Sequence, residues 1–103
     1  MLEFFFGSGK NKIKEALRNG AVIIDVRTVF EYDQGRLRGS INIPLNLLPV
    51  NIVRIRGMKK PVICCSGYDS FSSKAVRFIK QNGISDVYDG GNWEKLLKII
   101  NSL

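Results

Sequence analysis

Apolar and polar positions change period several times along the chain, and each change marks an element. From Lys10 to Arg18, Ile13, Ala16 and Leu17 share one face at helical spacing, with Ser8 or Asn11 as cap and Gly20 as stop. Ala21 to Val26 is a continuous apolar run broken only by Asp25, the pattern of a strand covered on both sides. Phe30 to Gln34 predicts a short helical turn closed by Gly35, and Ser40 to Ile43 a brief strand stopped by Pro44. Leu45, Leu48, Ile52 and Ile55 then return to helical spacing, with Pro49 tolerated in the first turn. Pro61 to Cys65 reads as a second buried strand, and Ser72 to Asn82 as a helix through Ala75, Val76, Phe78 and Ile79, ending at Gly83. Ile84 to Tyr88 predicts another strand, Gly90-Gly91 a turn, and Trp93 to Ile100 a last helix through Leu96, Leu97 and Ile100.

Strands alternating with helices predict an α/β fold around a mostly parallel sheet. With 103 residues and no repeat, linker or low-complexity segment, the expectation is one domain over residues 1–103. The chain is 45% hydrophobic, enough for a packed core. It contains no histidine, which removes imidazole acid–base catalysis, Ser-His and Cys-His pairs and His-ligated metals. Cys64 and Cys65 are adjacent. Neighbouring Cα atoms stand about 3.8 Å apart, whereas an unstrained disulfide needs roughly 4.4–6.8 Å. Two free thiols suit a reducing compartment. Met1 to Phe6 is too short for a signal-peptide core, so a cytoplasmic protein is expected, and Phe4–Phe6 is read as a core or sheet segment rather than a membrane anchor. The net charge of +7 comes from scattered basic residues without a nucleic-acid motif, so neither nucleic acid nor membrane is expected as a partner.

Ligands of open α/β sheets bind at the carboxyl ends of the strands. Two strands here end in pointed chemistry: Asp25-Val26-Arg27, and Cys64-Cys65 followed by Ser66, Gly67, Tyr68, Asp69, Ser70 and Phe71. A strand-end cysteine before a Gly- and Ser-containing loop and a helix N-terminus is placed where backbone N–H groups and the helix dipole stabilise a thiolate. Cysteine is equally at home as a small core residue.

The ordered set Asp25-Val26-Arg27, Glu31-Tyr32, Gly35, Gly39-Ser40 and Asn42-Ile43-Pro44, followed by the cysteine loop and by Gly90-Gly91 before Trp93, resembles the signature of rhodanese-like domains. The resemblance covers Lys10 to Ile100. It implies an α/β fold with a central parallel sheet flanked by helices on both faces. It also implies a sulfurtransferase: a loop cysteine takes sulfane sulfur from a small anionic donor such as thiosulfate. The cysteine holds it as a persulfide and passes it to a thiol or protein acceptor, with no metal or cofactor.

Three placements of the nucleophile follow from counting. Matching the loop from its start selects Cys64; counting back from Gly83 and allowing the strand a workable length after Pro61 selects Cys65, which is preferred. Counting without a gap puts Ser66 in the slot and predicts an inactive interaction module. The loop arginine frequent in such domains is replaced by Asp69 or Phe71, which disfavours thiosulfate and also a thiol phosphatase or arsenate reductase. Asp69 is expected to cap the following helix. Arg36, in place of the family's histidine, is expected at the rim of the site, within a stretch from Gly35 to Tyr68 that has basic but no acidic residues. Asp25, Arg27 and Glu31 are read as supporting residues that brace the loops.

Overall fold

The alternation read from the sequence is the architecture observed in the computed structural model, which describes residues 9–103. The expected Phe4–Phe6 segment and the Ser8 cap lie outside the described residues. The elements are helix α1 (Gly9–Arg18), strand β1 (Val22–Asp25), helix α2 (Val29–Asp33), strand β2 (Ile41–Asn42) and a 3-10 turn (Leu45–Leu47). Helix α3 (Leu48–Met58), strand β3 (Val62–Ser66), helix α4 (Asp69–Gln81), strand β4 (Val87–Asn92) and helix α5 (Trp93–Asn101) complete the chain. All neighbouring strands are parallel, in the order β2-β1-β3-β4.

Side-chain alternation along the strands sorts the core into two layers. Ile24, Val62, Cys64 and Val87 pack under Leu48 and Ile55 of α3 and Ala75, Val76 and Ile79 of α4. Ile23, Ile63 and Cys65 pack under Ile13 and Ala16 of α1 and Leu96 of α5. Helices thus cover both faces, which is why β1 and β3 read as unbroken apolar runs. Gly20 and Gly83, with φ of 82° and 86°, turn the chain out of α1 and α4 in the left-handed conformation that costs a glycine little.

Several boundaries differ from expectation. Asn11 lies inside α1 rather than capping it. The last strand begins at Val87, not Ile84, and Gly90-Gly91 lies within it instead of forming a turn. Its register against β3 slips by one: Cys64 faces Asp89 while Cys65 faces Gly91, leaving Gly90 as an extra residue, a β-bulge. A Cβ on Gly90 would meet Ile63 Cγ2 at 2.7 Å and the Cys64 carbonyl at 3.0 Å, so close backbone packing requires glycine there.

Candidate active site at the carboxyl edge of the sheet

At the end of β1 the chain buries a charge pair. Asp25 is fully buried and Arg27 nearly so. Arg27 Nε donates to Asp25 Oδ1 and Oδ2 at 3.0 Å each, and Nη2 donates to Oδ2 at 2.8 Å. The Arg27 backbone N–H also donates to Oδ1 at 3.0 Å. The rest of the guanidinium ties down the following segment: Nη1 donates to the Glu31 carbonyl at 3.2 Å and Nη2 to the Gly35 carbonyl at 2.6 Å. Its plane lies 4.6 Å from the centre of the Trp93 ring. Burial works against the guanidinium charge, yet the hydrogen bonds and charge of Asp25 raise its pKa above the ordinary arginine value. Asn42 Nδ2 completes the brace by donating to the Asp25 and Arg27 carbonyls at 3.0 and 2.9 Å. Glu31 serves α2: Thr28 and Glu31 form a reciprocal capping box.

Arg27, Thr28 and Glu31 line one side of a cavity of about 340 Å3. Val26, Pro44, Leu45 and Phe71 give it an apolar lining, Ser66 and Gly67 lie at its floor, and Tyr68 stands at its edge, 68% exposed. Val29, Phe30 and Leu47 are exposed apolar side chains on the neighbouring α2 and 3-10 segments, outside the lining itself. Arg36 is not part of the lining; its guanidinium lies 4.8 Å from the Tyr32 ring centre. Asp25 and the two cysteines are absent from the lining as well.

Alternation along β3 explains where the thiols go. All five residues of this strand are buried. Cys64 points into the layer under α3 and α4 and Cys65 into the layer under α1 and α5, each with no exposed surface. Ser66, the last residue of the strand and 3% exposed, is the first side chain at the cavity. Burial, with the nearby charge of Asp89, pushes the Cys64 thiol up to about 12. Burial raises Cys65 further, helped by Asp25 and Cys64 and opposed by Arg27. Both shifts run opposite to the activation a nucleophilic thiol needs.

The loop after the strand is shorter than the expected Ser66–Phe71 segment. Only Gly67 and Tyr68 connect β3 to α4, and Asp69, Ser70 and Phe71 already form the first helical turn. Asp69 therefore does not cap α4: Tyr68 holds the cap position without a side-chain bond, and Asp69 Oδ1 sits against Gly91, 3.0 Å from where a Cβ there would stand. The loop is fixed by residues not singled out from the sequence. Ser72 Oγ, fully buried, lies 2.7 Å from Asp89 Oδ1 and 2.9 Å from the Asp69 carbonyl. Asn92 Nδ2 donates to the Gly67 carbonyl at 3.1 Å while its Oδ1 caps α5. A serine one turn before Ala75, on the apolar face of the α4 pattern, was the available signal for Ser72.

Among the described residues no group of His, Cys, Asp and Glu is arranged to hold a metal ion, and no helix is long and apolar enough to cross a membrane.

Comparison with known proteins matches residues 10–94 to the Rhodanese-like domain family. A thiosulfate sulfurtransferase GlpE from Pseudomonas fluorescens (strain SBW25) is 32% identical over 80 residues, covering 75% of this chain and 72% of the relative. Among solved structures, a rhodanese-related protein from Thermoplasma volcanium superposes with a TM-score of 0.67 at 25% identity, covering 84% of each chain. The human single-domain sulfurtransferase TSTD1 has the same fold, with a TM-score of 0.68 at 19% identity over 84% of this chain and 90% of its own.

Proposed function

The chain belongs to the rhodanese-like domain family, a sulfurtransferase-type family, and from that premise we propose that this member is an interaction module with the family's cavity but no thiol in it. The observation that carries the reading is at the end of β3: Ser66 lines the cavity, while Cys64 and Cys65 have no exposed surface and point into the two core layers. A hydroxyl there, with no histidine in the chain and with the one carboxylate among the described residues of the lining, Glu31, hydrogen-bonded to Thr28, does not attack a sulfane sulfur. Nor does the cavity offer a free cation to a thiosulfate dianion, because Arg27 is committed to Asp25 and to two carbonyls. Its apolar lining and the exposed Tyr68, Phe30 and Val29 suit an apolar side chain of a partner protein.

A second reading is sulfur transfer through Cys65, or through Cys64, as in the thiosulfate sulfurtransferase relatives. It is favoured by the adjacency of Cys65 to Ser66 and by the Arg27 charge acting on its thiol. In that reaction the Cys65 thiolate attacks the sulfane sulfur of thiosulfate, the donor S–S bond breaks, sulfite leaves, and the persulfide passes its outer sulfur to a thiol or protein acceptor. The step needs β3 to open and the thiol to ionise. Burial raises both thiols above their ordinary value, which works against that ionisation.

Intact mass spectrometry after incubation with thiosulfate, and separately with polysulfide, decides between them. Wild-type protein is expected to gain no sulfur, whereas Ser66→Cys, which sets a thiol at the cavity floor, is expected to gain one and to be alkylated rapidly at neutral pH. A sulfur atom on wild-type protein that is lost in Cys65→Ser or Cys64→Ser would overturn the module and establish transfer.

A further inference from the structure

Beside the β4 edge, α1 and α5 pack side by side and, with the end of β4 and Asp69 of α4, line a second, open cleft of about 650 Å3. Four lysines line it: Lys10 and Lys14 from α1, Lys95 and Lys98 from α5. In each helix the two are one turn apart, so they stand on the same face at about 5–6 Å between Cβ atoms. Like charges at that spacing repel, and here two repelling pairs are brought together across one cleft. Among the described residues the one ion pair is Arg27–Asp25, so no described carboxylate neutralises any of these lysines. Among the described residues Asp69 is the single acidic group in the lining. Gly90, Gly91 and Asn92 supply the β4 part of the wall, where Asp69 Oδ1 lies 3.0 Å from the place of a Cβ on Gly91.

We propose that this cleft is a binding site for a small polyanion carrying two or more adjacent phosphoryl groups. Lysine ammonium groups bind phosphate as mobile point charges, and four of them against one carboxylate leave an excess of positive charge that a single monoanion does not match. The volume lies in the range of small-molecule sites, roughly 300–1,000 Å3. Among the described residues none of the exposed large apolar or aromatic side chains lines the cleft, so they offer no stacking platform of the kind a single-stranded nucleic acid requires. The site is separate from the carboxyl-edge cavity, and it stands whether or not the chain transfers sulfur.

The probe is inorganic tripolyphosphate, titrated calorimetrically against the full chain at fixed ionic strength, with orthophosphate as comparator. Wild-type protein is expected to bind tripolyphosphate saturably, at one site and at least tenfold more tightly than orthophosphate. Lys14→Gln/Lys95→Gln is expected to weaken binding by about tenfold or more, while Lys59→Gln/Lys60→Gln, equal in charge but at the end of α3, changes it less than about twofold. Amide shifts on binding are expected to centre on Gly90, Gly91 and Asn92. Equal losses in the two double variants would reduce the effect to net charge and overturn the site, as would tripolyphosphate binding no tighter than orthophosphate. Vesicles of phosphatidylserine separate the other source of phosphoryl groups: retention on them that tripolyphosphate does not compete would overturn the small-ligand assignment.

Discussion

Two cavities of this small domain hold their positive charge in opposite ways. At the carboxyl edge the single cation, Arg27, is buried, hydrogen-bonded to Asp25 and to the Glu31 and Gly35 carbonyls, and stacked on Trp93. Between α1 and α5, four lysines stand around a wider space with one carboxylate among them. A buried, saturated guanidinium is an architectural part: its donors are occupied, and it fixes the loops rather than a ligand. Solvated ammonium groups held near one another are chemically available. Counting basic residues in the sequence does not distinguish these states; the hydrogen-bond partners do.

The largest expected effect comes from breaking the brace. Asp25→Ala leaves Arg27 buried without its carboxylate and is expected to cost about 3–5 kcal/mol in urea unfolding. A loss below about 1 kcal/mol would mean that Arg27 turns out to solvent and that its cavity is as adaptable as the lysine cleft.

The sheet is tested through its thiols. Cys64 has a folded-state pKa of about 12, against roughly 8.5 unfolded. Below about pH 8.5 both states are protonated and the thiol adds no pH dependence. Above it the unfolded chain ionises while the folded protein keeps its proton, so stability falls with rising pH until the folded thiol itself ionises. At pH 10 this amounts to about 2 kcal/mol lost relative to neutral pH. Unfolding curves of wild type and Cys64→Ala at pH 7 and pH 10 check it; parallel declines would show that the thiol is already accessible to water.

The smallest effect sharpens the contrast from the cationic side. Lys14→Gln removes the repulsion with Lys10 and with α5, and is expected to raise the thermal midpoint slightly in low salt. The gain should vanish in 1 M salt, where screening acts over about 3 Å. A decrease in midpoint would mean that Lys14 is held by contacts rather than crowded by charge.

Most of the fold was legible because it rests on periodicity. The apolar runs of β1 and β3, the one-sided faces of α1, α4 and α5, and the glycines closing α1 and α4 all follow from local pattern. The extent of β4 was not, because Gly90-Gly91 has the local chemistry of a turn and only contact with Ile63 and the Cys64 carbonyl makes it a bulge. The cavity was harder to read than the fold. Asp25, Arg27 and Glu31 are recognisable as charged residues past a strand end, but the side of the sheet taken by each of Cys64, Cys65 and Ser66 depends on where β3 stops. That boundary is one residue later than the pattern of apolar residues predicts, because Ser66 is polar yet still pairs with Asn92. The lysine cleft brings together two helices at opposite ends of the sequence, and no local motif announces it.

The bulge at Gly90 carries one further consequence. A strand is a two-stroke register, in which each residue inserted reverses the side taken by everything after it. Because Gly90 is left out of the pairing, Asn92 comes level with Ser66 and its amide reaches the Gly67 carbonyl, and Trp93 follows in place to receive Arg27. If Gly90 paired regularly with Cys65, Gly91 would come level with Ser66, the cap of α5 would start one step late, and the indole would leave the guanidinium. A residue with no side chain thus keeps time for the last helix, holding the two ends of the site in phase.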